Sequence, residues 1–115
     1  MKYACLVYGD GNLVDPLPEA EMKKLGDDSR AYHEELRKAG VLITIAALEP
    51  VTSATTVRKR SGNVVISDGP FAETKEQLGG LFIVEARDLN DAIRIVENHP
   101  ASRCDAVEIR PVREM

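Results

Sequence analysis

The fold is decided by residues 64–84, VVISDGPFAETKEQLGGLFIV. The apolar runs at its two ends are typical of strands, and between them lies the chain's densest mixture of turn-forming and charged residues. Asp68, Gly69 and Pro70 end the first run, because aspartate caps turns, glycine adopts positive φ and proline lacks the N–H that a strand ladder needs. The 68–80 segment that follows therefore either closes the edge of a core or lines a site.

The rest of the chain alternates strands with helices. Pro18, followed by acidic residues, predicts a helix start, and Gly40 predicts its end. Asp88 is a typical cap for a second helix that ends near His99, whose charge would suit the helix dipole. A short helical turn is expected at 74–78. The predicted strands span residues 2–8, 41–48, 81–86 and 106–111, and a hairpin with a glycine-containing turn at 61–63 spans residues 55–67.

Without the hairpin, the order is strand–helix–strand, repeated once. This order predicts an α+β, ferredoxin-like split βαβ fold with an inserted hairpin, in a single domain over residues 1–115. Two helices cover only one face of such a sheet, and strands as apolar as these would leave a large exposed patch on the other face. We therefore expect a homodimer that forms through the bare sheet face.

Composition narrows the class of protein. The chain has 115 residues, 43% of them hydrophobic and 30% charged, with a net charge of −4. An acidic protein is a poor nonspecific ligand for nucleic acid, so the basic run at 58–60 is interpreted as protection of a sheet edge. No apolar run approaches a membrane span, no metal constellation occurs, and Cys5 and Cys104 form no disulfide framework. We expect a cytoplasmic protein without membrane or nucleic-acid partners.

Several motifs together resemble the YCII-related family, in the branch named for its DGPF motif. They are DGPFAETKE at 68–76, the glycine pair at 79–80, ARDL at 86–89, YGD at 8–10, ELRKAGV at 35–41 and EIRPV at 108–112. The resemblance covers essentially the whole chain, and it implies a dimeric α+β barrel.

The resemblance implies less about chemistry. More distant YCII-related members look like cofactor-free enzymes that use a histidine–aspartate pair, for example to remove halide from a chlorinated hydroxyquinol. Their histidine lies further from the helix-ending glycine than His33 lies from Gly40, at a position nearer Ser29. The pair is therefore not carried over to this chain. Members of this branch are also often encoded beside extracytoplasmic-function sigma factors, which implies a regulatory alternative.

Three charged residues of the 68–80 segment are candidates for chemistry. Asp68 can act as a general base or orient a substrate, but its carboxylate can equally accept N–H groups of the following turn. Lys75 can bind a substrate carboxylate, and Glu76 can transfer a proton. The alternative for both is a solvated charged surface.

The first helix supplies the remaining polar candidates. His33 titrates near neutrality and lies at the margin of the inward stripe, although a partly exposed structural histidine fits the same position. Ser29 and Tyr32 lie on that stripe, so they must find polar partners or line a cavity. Phe71 offers a large apolar anchor. We expect the cavity between this helix and the sheet, covered by the 68–80 segment.

These observations favour a cofactor-independent acid–base enzyme or a binder of a small organic ligand. The expected catalytic residues are Asp68, His33 and Lys75, and the expected ligand-binding residues are Ser29, Tyr32, Phe71 and Glu76. The alternative is a noncatalytic dimeric regulatory module that partners an extracytoplasmic-function sigma factor. An enzyme predicts a ligand-sized cavity that Asp68 reaches, whereas a module predicts a filled interior and an Asp68 bonded to backbone amides.

Overall fold

A computed structural model describes residues 1–10, 17–103 and 105–115. The main elements are β1 (Lys2–Asp10), α1 (Glu19–Lys38), β2 (Leu42–Ala47), β3 (Thr55–Arg60), β4 (Asn63–Asp68), β5 (Glu76–Glu85), α2 (Leu89–Glu97) and β6 (Ala106–Pro111). Short 3₁₀ turns occupy Val51–Ser53 and Pro100–Arg103. No described helix is both long enough and apolar enough to cross a membrane.

Four strands form one antiparallel sheet in the order β2-β5-β1-β6. Two strands that are adjacent in the middle, β5 and β1, come from opposite halves of the chain, as a split βαβ arrangement requires. The remaining two strands, β3 and β4, form a separate hairpin. The predicted α+β, ferredoxin-like fold with an inserted hairpin is confirmed.

The core lies between the helices and one face of the sheet. Alternate residues of the two central strands point into it, with Phe82 and Val84 from β5 and Tyr3 and Cys5 from β1 all buried. They pack against Leu36 of α1 and against Ala92, Ile95 and Val96 of α2. Burial raises the pKa of the Cys5 thiol to about 11, which keeps the thiol neutral and unreactive near pH 7. Cys104 lies outside the described residues.

Both helix starts are confirmed. The α1 helix begins directly after Pro18. In α2, the Asp88 carboxylate accepts the backbone N–H of Asp91 at 2.8 Å, as a cap should. Gly40 lies just past the end of α1 with φ of +73°, a conformation that costs glycine least.

The helical turn expected at 74–78 is wrong. The chain is already extended there, because β5 begins at Glu76, which pairs with Asp10, and Leu78 pairs with Tyr8 of β1. The Thr74 hydroxyl donates to the Glu76 carbonyl at 2.6 Å and caps no helix. A strand partner thus satisfies the backbone groups that a lone turn would have bonded locally.

The hairpin is held by a tight turn. Ser61 and Gly62 both have positive φ, 51° and 81°, and Arg60 pairs with Asn63, as in a two-residue primed turn. Its apolar side chains remain exposed, including Val57 at 61% and Ile66 at 68%. A two-stranded ribbon has no core of its own, so these side chains need a neighbour to become buried.

Candidate functional site

Two histidines meet between the helices. The Nε2 atoms of His33 in α1 and His99 after α2 lie 2.7 Å apart, which is hydrogen-bond distance. His33 is half-buried and His99 is only 5% exposed. The expectation that the charge of His99 suits the dipole of the second helix is wrong, because the side chain is buried and turns inward.

Hydrogen bonds assign the tautomers of this pair. The backbone N–H of Ala101 donates to Nδ1 of His99 at 3.0 Å, so the proton of the neutral ring lies on Nε2. That Nε2–H donates to Nε2 of His33, whose own proton then lies on Nδ1. A second proton on either ring would set two N–H groups against each other. The geometry therefore holds the pair neutral.

Aromatic contacts and burial reinforce the neutral state. The Phe82 ring stacks on His99 at a centroid distance of 4.6 Å, and Tyr32 meets His99 edge-on at 5.6 Å. Burial, together with the neighbouring His33, lowers the pKa of His99 to about 4. Burial and the Arg37 guanidinium also lower the pKa of His33. A neutral, enclosed pair of this kind is suited to packing rather than to accepting protons near pH 7.

Packing occupies the centre of the space between α1 and the sheet, where a cavity was expected. The cleft of about 470 Å³ that Tyr32 lines lies instead between α1 and α2. Tyr32 fills part of the space and its hydroxyl donates to the Ile95 carbonyl at 2.8 Å. Phe82 and His99 occupy the centre. Ser29 is half-buried on α1. Large aromatic side chains thus occupy the volume that the sequence pattern had left open.

A ligand-sized cleft lies on the other side of the sheet. Its volume is about 590 Å³, and the 68–80 segment and the hairpin form its walls. Its described lining comprises Tyr8, Val51, Ala54, Thr55, Thr56, Val57, Pro70, Phe71, Ala72, Thr74, Glu76, Gln77 and Leu78. Tyr8 and Leu78 pair across β1 and β5 and point away from the helices, because Val7, the neighbour of Tyr8, packs on the core.

Hydrogen bonds fasten the 68–80 segment to the hairpin. The Gly69 N–H donates to the Ala54 carbonyl at 2.7 Å, and the Thr56 hydroxyl donates to the Gly69 carbonyl at 2.8 Å. Arg58 donates to the Phe71 carbonyl at 3.2 Å. Gly69 has φ of +99°, which few other residues adopt. These contacts make one wall of the cleft from two stretches of chain.

The structure divides the expected site residues between two places. Ser29, Tyr32 and His33 lie in the helix layer. Phe71 and Glu76 line the cleft on the opposite side of the sheet. Tyr8, Thr56 and Gln77 of the cleft and His99 of the pair were not expected from the sequence, because their partners are distant in the chain.

Two expected catalytic residues lie beside the cleft rather than in its lining. Asp68 ends β4 and is exposed, and its side chain makes no hydrogen bond or ion pair within the described residues. Lys75 is likewise exposed. Asp68 is therefore neither consumed by backbone amides, as the module hypothesis requires, nor placed in the cleft, as the enzyme hypothesis requires.

A second cleft of about 410 Å³ adjoins the first at Val51 and Leu78. Asp10, Glu49 and Asp105 contribute carboxylates to its lining. Across the described part of the chain, no three histidine, cysteine or carboxylate side chains are grouped as metal ligands.

Comparisons with known proteins identify the family. A family model of the YCII-related domain matches residues 1–115. The chain is also 35% identical to an uncharacterized protein of Rhizobium meliloti (strain 1021), over 97% of this chain and 92% of that protein. The chain therefore belongs to the YCII-related family.

Proposed function

We propose that this YCII-related chain, as a member of the branch with the DGPF motif, binds a small organic molecule in the 68–80 cleft. One observation carries the proposal: the cleft is of ligand size and combines an apolar surface with a few polar groups. Its volume of about 590 Å³ lies within the range of roughly 300–1,000 Å³ that is usual for small-molecule sites.

The charge of the lining favours one class of ligand. Glu76 is the one charged side chain in the described lining, and the Tyr8 hydroxyl, Thr56 and Gln77 add neutral hydrogen-bonding groups. A carboxylate without a basic neighbour in the lining attracts a cation or a hydrogen-bond donor. Phe71 and Tyr8 offer ring faces that suit an apolar body and a cationic head. We infer an aromatic or aliphatic amine.

Three matched probes test this class of ligand. Phenethylamine, 2-phenylethanol and 3-phenylpropionate share a phenyl group and differ in charge, so their affinities isolate the effect of Glu76. We expect affinity to fall in that order, and Glu76→Gln to remove roughly a tenfold or larger advantage of the amine over the alcohol in calorimetric titrations.

Glu73→Gln is the matched control, because Glu73 lies in the same segment but outside the lining. Equal effects of Glu73→Gln and Glu76→Gln, or tightest binding of the anion, would overturn the proposed ligand class.

The position of Glu76 in the cleft also supports a role in acid–base catalysis. Glu76 can accept a proton from a bound donor without any cofactor, because a carboxylate is an adequate general base once its substrate is positioned. Incubation of purified protein with amines that carry an acidic C–H, followed by NMR in D₂O, measures proton exchange. Exchange that Glu76→Gln abolishes supports an enzyme, and exchange that survives in Glu76→Gln assigns the base elsewhere.

An exposed apolar surface favours a second candidate. Phe71 is 78% exposed and lies beside the exposed hairpin. Such a surface suits a regulatory module that binds an extracytoplasmic-function sigma factor. Titration of the protein with a purified extracytoplasmic-function sigma factor tests this role, and a lack of binding at micromolar concentrations would contradict it.

Both candidate functions, ligand binding and regulation, include a homodimer that forms through the bare sheet face. Alternation places Ala4, Leu6, Leu81 and Ile83 on the face opposite the helices. Leu6 pairs directly with Leu81, and Ala4 pairs with Ile83, so these side chains form a continuous apolar patch. A second copy would remove it from water. Leu81→Glu, examined by sedimentation velocity, is expected to produce monomers.

A further inference from the structure

We propose that the β3–β4 hairpin is an arm that packs against a second copy of this chain and encloses the 68–80 cleft. The inference adds to the sheet-face dimer proposed above and rests on it. It assigns a role to the largest group of exposed apolar side chains, in a part of the chain that the main sheet does not include.

A single chain has an accessible surface of 8551 Å². A compact monomer of 12.6 kDa exposes about 6,200 Å². The radius of gyration of 16.2 Å likewise exceeds the about 13 Å expected for a compact domain of this length. The excess surface of roughly 2,300 Å² is comparable to what one subunit buries in an obligate homodimer.

The sheet face accounts for only part of this excess. Four strands spaced about 4.8 Å apart form a patch on the order of 500 Å² in projection. Even if that area is doubled for the relief of the side chains, more than half of the excess remains. The remainder needs another apolar surface.

The hairpin provides that surface. Val57 and Ile66 are directly opposite each other and therefore share one face, together with Val64. All three are more than half exposed. On the other face, Arg58 already bonds the Phe71 carbonyl of the same chain. The Val57–Ile66 face is therefore the one that is free to receive a partner.

The two strands of the hairpin differ in charge. The β3 strand carries the basic run at 58–60, which repels a second β3. The β4 strand carries no charge between Asn63 and Ser67. The Val64 and Ile66 side chains of β4 can therefore pack on the same side chains of a second copy, which twofold symmetry brings together. A second copy of this chain is thus the occupant that we infer.

The cleft and the hairpin form a continuous surface. Val57 of the hairpin and Tyr8 and Leu78 of the bare sheet face all line the cleft. A subunit seated on the sheet face would therefore also meet the hairpin, and its presence would cover Phe71, which is largely exposed in the single chain. The proposed ligand site would then be complete only in the dimer.

Ile66→Glu and Val65→Glu form a matched pair that tests the arm. Both place the same charge on the same strand, but on opposite faces, and Val65 pairs with Arg58, which can accommodate a carboxylate. We expect Ile66→Glu to weaken dimerisation at least 30-fold in sedimentation velocity, and Val65→Glu to weaken it less than threefold. Circular dichroism checks that both variants fold.

Each remaining outcome assigns the interface differently. A dimer that Leu81→Glu dissociates and Ile66→Glu does not dissociate would retain the sheet-face interface and overturn the arm. A protein that is monomeric at micromolar concentrations without any substitution would overturn both, while leaving the amine titrations to decide the ligand proposal independently. Equal losses from Ile66→Glu and Val65→Glu would overturn the assignment of faces.

Hydrogen exchange of the unsubstituted protein gives a second measurement. Outward-pointing amides of β4 exchange quickly in a single chain but slowly once a second copy covers the strand. We expect their protection to increase at least tenfold as the protein is concentrated through the dimerisation range. Fast exchange in the fully dimeric protein would overturn the arm.

Discussion

The two phenylalanines of the chain lie in two regions that differ in burial. Phe82 is 1% exposed and stacks on His99 beneath the helices, whereas Phe71 is 78% exposed beside the cleft on the other side of the sheet. Beneath the helices, the polar groups of Tyr32 and His99 are hydrogen-bonded and serve packing. The bare side keeps apolar surface open to solvent, which is where binding energy for a ligand or a partner remains available.

The largest expected effect separates these phenylalanines. Phe82→Ala should lower the free energy of unfolding by about 3–5 kcal/mol, because it leaves a cavity in the core. Phe71→Ala should change it by less than about 0.5 kcal/mol at protein concentrations where the chain is monomeric. Urea denaturation measures both variants. Similar decreases in the free energy of unfolding from the two substitutions would contradict the difference in burial between the two regions.

A smaller effect comes from the histidine pair. The pKa of His99 in the folded chain is about 4, below the usual value of about 6.5, so the unfolded chain binds protons that the folded chain does not. The stabilising effect is therefore complete above about pH 6.5 and is lost as the pH falls towards 4, by about 3 kcal/mol. Denaturation at a series of pH values measures this loss.

His99→Phe is the control for this pH dependence. It retains a ring against Phe82 but cannot titrate, so the stability of this variant should vary much less between pH 6.5 and 4. A pH dependence that is the same in His99→Phe as in the unsubstituted chain would show that other groups cause it. That result would remove the histidine pair as the feature that distinguishes the helix side.

The smallest expected effect concerns the backbone of the 68–80 segment. Gly69→Ala should lower stability by about 1–2 kcal/mol, because φ of +99° is strained for any side chain. Gly79→Ala is the matched control, since its new Cβ would meet no atom within 4 Å and its φ is ordinary. Thermal unfolding distinguishes the two variants. Equal effects would mean that the turn does not need the glycine conformation.

Local sequence patterns were sufficient to predict most of the helices and strands. Pro18 and Asp88 identified the helix starts because capping depends on residues a few positions apart. The turn at Ser61 and Gly62 identified the hairpin for the same reason. The prediction for the segment at 74–78 was wrong, because its backbone bonds to β1, almost seventy residues earlier in the chain.

The candidate site was less accessible to sequence reasoning. Phe71 and Glu76 were expected to bind a ligand and do line the cleft. The expected site combined Asp68 with His33 and Tyr32, but α1 and the cleft lie on opposite sides of the sheet. Which face a helix covers depends on the packing of the whole sheet, and no spacing within α1 encodes it.

By itself, the sequence determined the order of strands and helices, their caps and the position of the turn that begins at Asp68, because these depend on interactions between near neighbours in the chain. Only the tertiary structure decided that His33 meets His99, 66 positions away, and that the cleft opens on the side without helices. Contacts between distant residues arise when the sheet assembles, and the strand register that sets them is a property of the folded chain as a whole.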